Sequence, residues 1–136
     1  MSKHHHCAVW IDHQQAKIFF FDATDSETAV VHATHSHEHL HHKANSGGSG
    51  HVPVDNAFLK QVMQAISKAG ALLITGPANA KTELVTYLKT HDPALAARVS
   101  AVEAADHPTD GEVLAHARHF FKADDRMHSQ IAANPR

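Results

Sequence analysis

The chain has 136 residues, a formal charge of −2 with neutral histidines, 43% hydrophobic residues and 19% charged ones. That length fits one domain with a buried core, and the composition excludes general disorder. No apolar run approaches the ~20 residues of a membrane-spanning helix, and the slight acidity argues against DNA or any partner that needs a wholly phosphate-binding surface.

The start, Met1-Ser-Lys-His-His-His6, has no secretory cleavage pattern. The lone Cys7 rules out an internal disulfide. Together these features suggest a reducing, cytoplasmic setting. Cys7-Ala-Val-Trp-Ile-Asp12 reads as a buried strand and Ala16-Lys-Ile-Phe-Phe-Phe-Asp22 as the next. Asp12-His13-Gln14-Gln15 makes a short hairpin between them. Thr28-Ala-Val-Val-His-Ala33 is a third strand, so an antiparallel meander opens the sheet.

Seven histidines then fall between His32 and His51, in a stretch that ends Asn45-Ser-Gly47-Gly48-Ser49-Gly50-His51. The small residues predict a flexible tip with no regular element. Asp55 follows as the N-cap of a helix whose apolar stripe is Phe58, Val62, Ile66 and Ala69. Gly70 is expected to close that helix. Ala71-Leu-Leu-Ile-Thr75 is a continuous apolar run, as a central strand buried on both faces requires. Gly76-Pro77 leads into a helix from about Asn79 to Lys89, with Leu84, Val85 and Leu88 inward. Asp92-Pro93 ends it, and residues 93–97 can add a helical turn. Val99-Ser-Ala-Val-Glu103 is a further strand. Thr109-Asp-Gly-Glu112 is a capping box, which opens a last helix with Val113, Leu114, Ala117, Phe120 and Phe121 as its stripe.

Hairpins followed by βα units predict an α/β domain, a mixed sheet with about three helices. The architecture resembles the ribonuclease-H-like class. Residues 1–6 form a His-rich N-terminal segment and 7–125 one domain with a projecting arm at 34–53. Residues 126–136 read as a flexible tail.

The strand pair Val9-Trp-Ile-Asp12 and Ala16-Lys-Ile-Phe resembles the middle domain of the eukaryotic and archaeal peptide release factor and of Pelota. So do the glycine loop before the first helix and the stretch Gly76-Pro-Ala-Asn-Ala-Lys81-Thr82-Glu83-Leu84. The resemblance covers most of residues 7–122 and suggests a small stand-alone bacterial translational machinery protein. It implies a translation-associated factor that meets the ribosome or tRNA, with a contacting loop of Lys43, Asn45, Ser46, Gly47, Gly48, Ser49 and Gly50. The release factor hydrolyses peptidyl-tRNA with a Gly-Gly-Gln tip. Here the tip is Gly47-Gly48-Ser49, and Ser49 has neither the reach nor the amide of glutamine. Pelota also lacks that glutamine. The resemblance therefore implies a non-enzymatic role, on stalled or resting ribosomes rather than in termination.

The histidines support a reading of another class. His35, His37 and His39 alternate, so an extended segment would turn them to one face. His41, His42 and His51 extend the supply, and Glu38 can orient an imidazole. Zinc takes four ligands, with nitrogen at about 2.0–2.1 Å. A metal-binding module for zinc or nickel, bridged as a homodimer through the arms, is the alternative to the translation factor. A polar loop that binds metal only adventitiously is the blander one. His4, His5 and His6 could join such a site if strands one and three lie side by side, and could equally be a disordered start.

Other motifs point to ordinary structure. Asp12, Asp22 and Asp106 are the acids available to a two-metal nuclease, but the central strand carries no acid, and Asp is common at turns. Gly76 to Thr82 lacks the second glycine of a phosphate-binding loop, with Ala80 in its place. Its plainer reading is a helix entry capped by Asn79 or a neighbour. Cys7 reads as a small buried apolar residue. His107 lies in the loop before the last helix, and His116 and His119 read as surface or half-buried.

Overall fold

A computed structural model describes residues 5–33 and 54–133, with side chains up to residue 122. Five strands form one sheet: β1 (His6–Ile11), β2 (Gln15–Phe21), β3 (Ser26–His32), β4 (Ala71–Gly76) and β5 (Val99–Ala104). Their order is β3-β2-β1-β4-β5. The first three are antiparallel neighbours, and β4 runs parallel to both β1 and β5. The expected meander followed by βα units is therefore present. Among the described residues there are four helices: α1 (Asn56–Ala65), α2 (Ala80–His91), the short α3 (Pro93–Ala96) and α4 (Asp110–Ala133). The fourth is the extra turn after Pro93. The backbone of α4 continues past Arg126, where the sequence suggested a tail.

Strand alternation divides the core into two layers. Val9, Ile11, Ile18, Leu72 and Ile74 face α1, α2 and α3, where Phe58, Val62, Ile66, Leu84, Leu88 and Leu95 cover them. Ala8, Trp10, Phe19, Phe21 and Leu73 face α4 and meet Val113, Ala117 and Phe121. The helical stripes read from the sequence are those that pack, with Leu114, Phe120 and Val85 at the margins. Burying each large side chain contributes roughly 1.5–3 kcal/mol.

Local polar chemistry fixes the element ends. The Asp12 carboxylate accepts the Gln14 and Gln15 amides at 2.8 and 2.9 Å and shapes the β1–β2 turn. Asp22 accepts the Thr24 and Asp25 amides in the β2–β3 turn. Asp55 caps α1 through the Phe58 amide, and Asp92 caps α3 through the Leu95 amide. The Thr109–Glu112 capping box is reciprocal, at 2.8 and 3.1 Å. Arg118 ties α4 to the β2–β3 turn by donating to the carbonyls of Asp22 and Asp25.

Gly70 does not close α1 as expected. The helix stops at Ala65, and the amide of Gly70 instead donates to the His5 carbonyl. A Cβ at Gly70 would meet the His5 imidazole. The residue serves close packing against the incoming chain, with no left-handed cap.

Candidate functional site: the carboxyl rim of the sheet

Parallel strands β1 and β4 finish side by side, and Gly76 closes the gap between them. Its φ is +149°, and a Cβ there would lie 2.1 Å from the Ile11 carbonyl oxygen. Only glycine fits both demands. Ala78 follows with φ of 50°, a left-handed conformation rare outside glycine. The Lys81 ammonium donates to the Ala78 carbonyl. Asn79 occupies the N-cap position of α2, but its backbone is helical and its side chain makes no capping bond.

Both roots of the arm are held at this rim. The Ala33 amide donates to the Gln14 carbonyl at 2.9 Å, which fastens the outgoing chain to the β1–β2 turn. The Val54 amide donates to Glu83 Oε1 at 2.8 Å, which fastens the returning chain to the first turn of α2. Val54 is itself buried in the core under α1 and α2. The carboxylate also suits the positive end of the α2 dipole. The two residues that flank 34–53, Ala33 and Val54, are thus both fixed at the carboxyl ends of the strands. That is where open α/β sheets generally hold their ligands.

The arm residues themselves lie outside the described residues. These are His35, His37, His39, His41, His42 and His51 of the metal reading, and Lys43, Asn45, Ser46, Gly47, Gly48, Ser49 and Gly50 of the RNA reading. His32 is described and sits exposed at the end of β3, opposite Gln15. The sheet order separates the N-terminal histidines from the third strand, because β2 lies between β1 and β3. The condition under which His4, His5 and His6 could join a metal site, strands one and three side by side, is not met. His6 instead sits 5.9 Å from the Phe21 ring and 4.5 Å from the Phe121 ring, at the end of β1 away from the rim.

The three acids do not converge. Asp12 and Asp106 stand near the rim, whereas Asp22 turns the chain at the opposite end of the sheet. Among the described residues, no three His, Cys, Asp or Glu side chains form a group able to hold a metal ion. Cys7 is wholly buried, and burial pushes its thiol pKa far above the ordinary value. That keeps it neutral and unsuited to nucleophilic work.

Sequence reasoning missed a polar row on the α4 face. Strand register aligns Lys17, Trp10, Thr75 and Glu103 across four strands. Lys17 pairs with Asp110 at 2.9 Å, the Trp10 indole donates to the Asp106 carbonyl at 3.0 Å, and Glu103 meets His116 at 2.7 Å. These contacts seat the start of α4. A cavity of about 470 Å³ opens beside Thr75, Glu103 and His116. Strand order creates this alignment, so no local spacing in the chain announces it.

No family model and no curated protein matches the chain. Solved structures of similar fold do. The Pelota protein of Thermoplasma acidophilum superposes with a TM-score of 0.52 at 18% identity, over 78% of this chain and 29% of that one. Pelota of Archaeoglobus fulgidus gives 0.57 at 14% identity, over 97% of this chain and 40% of that one. An archaeal translation termination factor gives 0.54 at 14% identity, over 96% and 41%. This chain therefore spans 29–41% of their length and shares the fold of that portion.

Proposed function

We propose that this protein is a non-enzymatic, translation-associated factor that engages the ribosome or tRNA through residues 34–53. The observation that carries the reading is the anchoring of both arm roots, Ala33 on Gln14 and Val54 on Glu83, at one rim of this fold. A platform that fixes both ends lets a glycine-tipped segment project into a crowded RNA site. Glycine backbone and small side chains fit where larger ones would clash. Lys43, Asn45 and the arm histidines contact phosphate and base edges there. With Ser49 in place of glutamine, the protein occupies stalled or resting ribosomes without releasing peptide. Fold alone never carries function, so the test addresses the arm directly.

That test is co-sedimentation with ribosomes on a gradient, with and without a chelator, for the full chain and a variant lacking residues 45–50. Binding in both conditions, lost on deletion, is the expected result. Binding that ignores the deletion overturns the arm as the contact. No binding at all overturns the translation reading.

The histidine spacing favours one further reading, a zinc- or nickel-binding arm that bridges two copies of the chain. It predicts stoichiometric metal after carry-over is removed, with affinity falling below about pH 6 as imidazoles protonate. A folded, metal-free protein that takes up no zinc rejects it.

A further inference from the structure

Among the described residues, Thr75 is the one buried polar side chain, at 5% exposure. Its hydroxyl makes no hydrogen bond to the described residues. Leaving such a group unpaired is costly, and its neighbours in the row each have a partner of their own. Trp10 on one side donates to the Asp106 carbonyl, and Glu103 on the other meets His116. Thr75 instead faces the cavity of about 470 Å³ between the ends of β4 and β5 and the first turns of α4.

The lining defines what would fill it. Glu103 Oε1 is taken by His116 at 2.7 Å, and Glu112 Oε1 by the Thr109 amide at 2.8 Å. The second oxygen of each carboxylate makes no hydrogen bond to the described residues. With the Thr75 hydroxyl, the cleft thus presents three hydrogen-bond acceptors and two carboxylates, one of them paired with His116. Pro108 and Val113 supply an apolar wall. An anion is repelled by that set, and a neutral apolar molecule leaves it unpaired. A compact cation with several N–H donors on an aliphatic stem satisfies it, because charge-assisted hydrogen bonds are the strong ones.

We propose that the cleft bounded by Thr75, Glu103, Glu112 and His116 binds an alkylammonium or alkylguanidinium group. The site lies on the α4 face and is independent of the arm and of the ribosome reading. The group can belong to a free small amine or to a lysine or arginine side chain of a partner protein.

The test is a titration of the full chain, followed by amide chemical shifts, in about 0.15 M salt to screen surface attraction. The probes are n-butylammonium and agmatine, the blocked amino acids N-acetyl-lysine amide and N-acetyl-arginine amide, and butyrate as the anionic control. The expected result is saturable binding of cations, with shifts centred on Thr75, Glu103, Val113 and His116 and none with butyrate. Simple amines that bind at least as tightly as the blocked amino acids identify a free ligand, and blocked amino acids that bind clearly more tightly, through their backbone amides, identify a partner side chain. Thr75→Val keeps the shape and removes the hydroxyl. It should weaken binding about tenfold while the melting temperature holds or rises. Glu103→Gln keeps an acceptor for His116 and removes the charge, and should weaken binding by a similar factor. Diffuse, unsaturable shifts overturn the proposal, as does wild-type affinity in a folded Thr75→Val protein.

Discussion

The Glu83 carboxylate reaches 29 positions back along the chain to accept the Val54 amide at 2.8 Å. One side chain thereby links the start of α2 to the root at which the arm returns. The same residue belongs to the Gly76–Leu84 stretch on which the resemblance to release factors rests. Its structural role here is to set where the arm re-enters the domain.

Replacing Glu83 by alanine should cost about 1–3 kcal/mol, because it removes a charge-assisted bond and strands a partly buried amide. Glu83→Gln keeps an acceptor and should cost less. Hydrogen exchange at Val54 is the direct measure. Protection of that amide unchanged in Glu83→Ala would show that another group holds the root.

Gly76 and Gly70 should respond unequally to alanine. At Gly76 the new Cβ collides with the backbone carbonyl of Ile11 in a left-handed conformation. A cost above about 3 kcal/mol is expected, because neither strand can yield. At Gly70 the collision is with the His5 ring, a movable side chain, so the change should stay within about 1 kcal/mol. Chemical denaturation of both variants checks the ranking, and the reverse order would contradict the packing described.

Cys7 should resist iodoacetamide in the native protein and react only as the molecule unfolds. Its pKa is raised in the folded state by burial, so the sign of the linkage is definite. Stability is unaffected by this group below the ordinary thiol range. It falls as pH rises above about 8.5, where the unfolded thiol ionises and the folded one does not. The decline approaches about 1.4 kcal/mol per pH unit at most. Melting curves of wild type and Cys7→Ala across pH 7 to 10 should diverge in slope. Parallel curves, or rapid native labelling, would place the thiol at the surface.

Thr109→Ala and Glu112→Ala should each cost about 0.5–2 kcal/mol, and the double variant less than their sum. The two bonds form one reciprocal cap, so either loss loosens both. Additivity in thermal unfolding would mean the cap is not formed in solution.

Features readable from the sequence were those set by near neighbours. Asp55 before an apolar 3.6-residue period announces α1, the Thr109–Glu112 spacing announces α4, and Ala71–Thr75 can only be a doubly covered strand. Features that depend on strand order were not readable. Gly70 looks like a helix stop until the His5 ring is seen against it. Thr75 passes as one more strand residue until register sets it between Trp10 and Glu103. The two ends that flank the arm, the most conspicuous stretch in composition, are held by hydrogen bonds from residues that carry no special signal, Ala33 and Val54.

The molecule also carries its own optical probe. Trp10 is the single tryptophan, 3% exposed, with its indole bonded to the Asp106 carbonyl ahead of α4. Its emission therefore reports on the seating of that one helix, while far-ultraviolet dichroism sums the backbone of both layers. Fluorescence and dichroism that melt together would mean a single cooperative block. Fluorescence that shifts first would mean that the α4 layer peels away while α1 and α2 keep the rim, and the arm roots on it, intact.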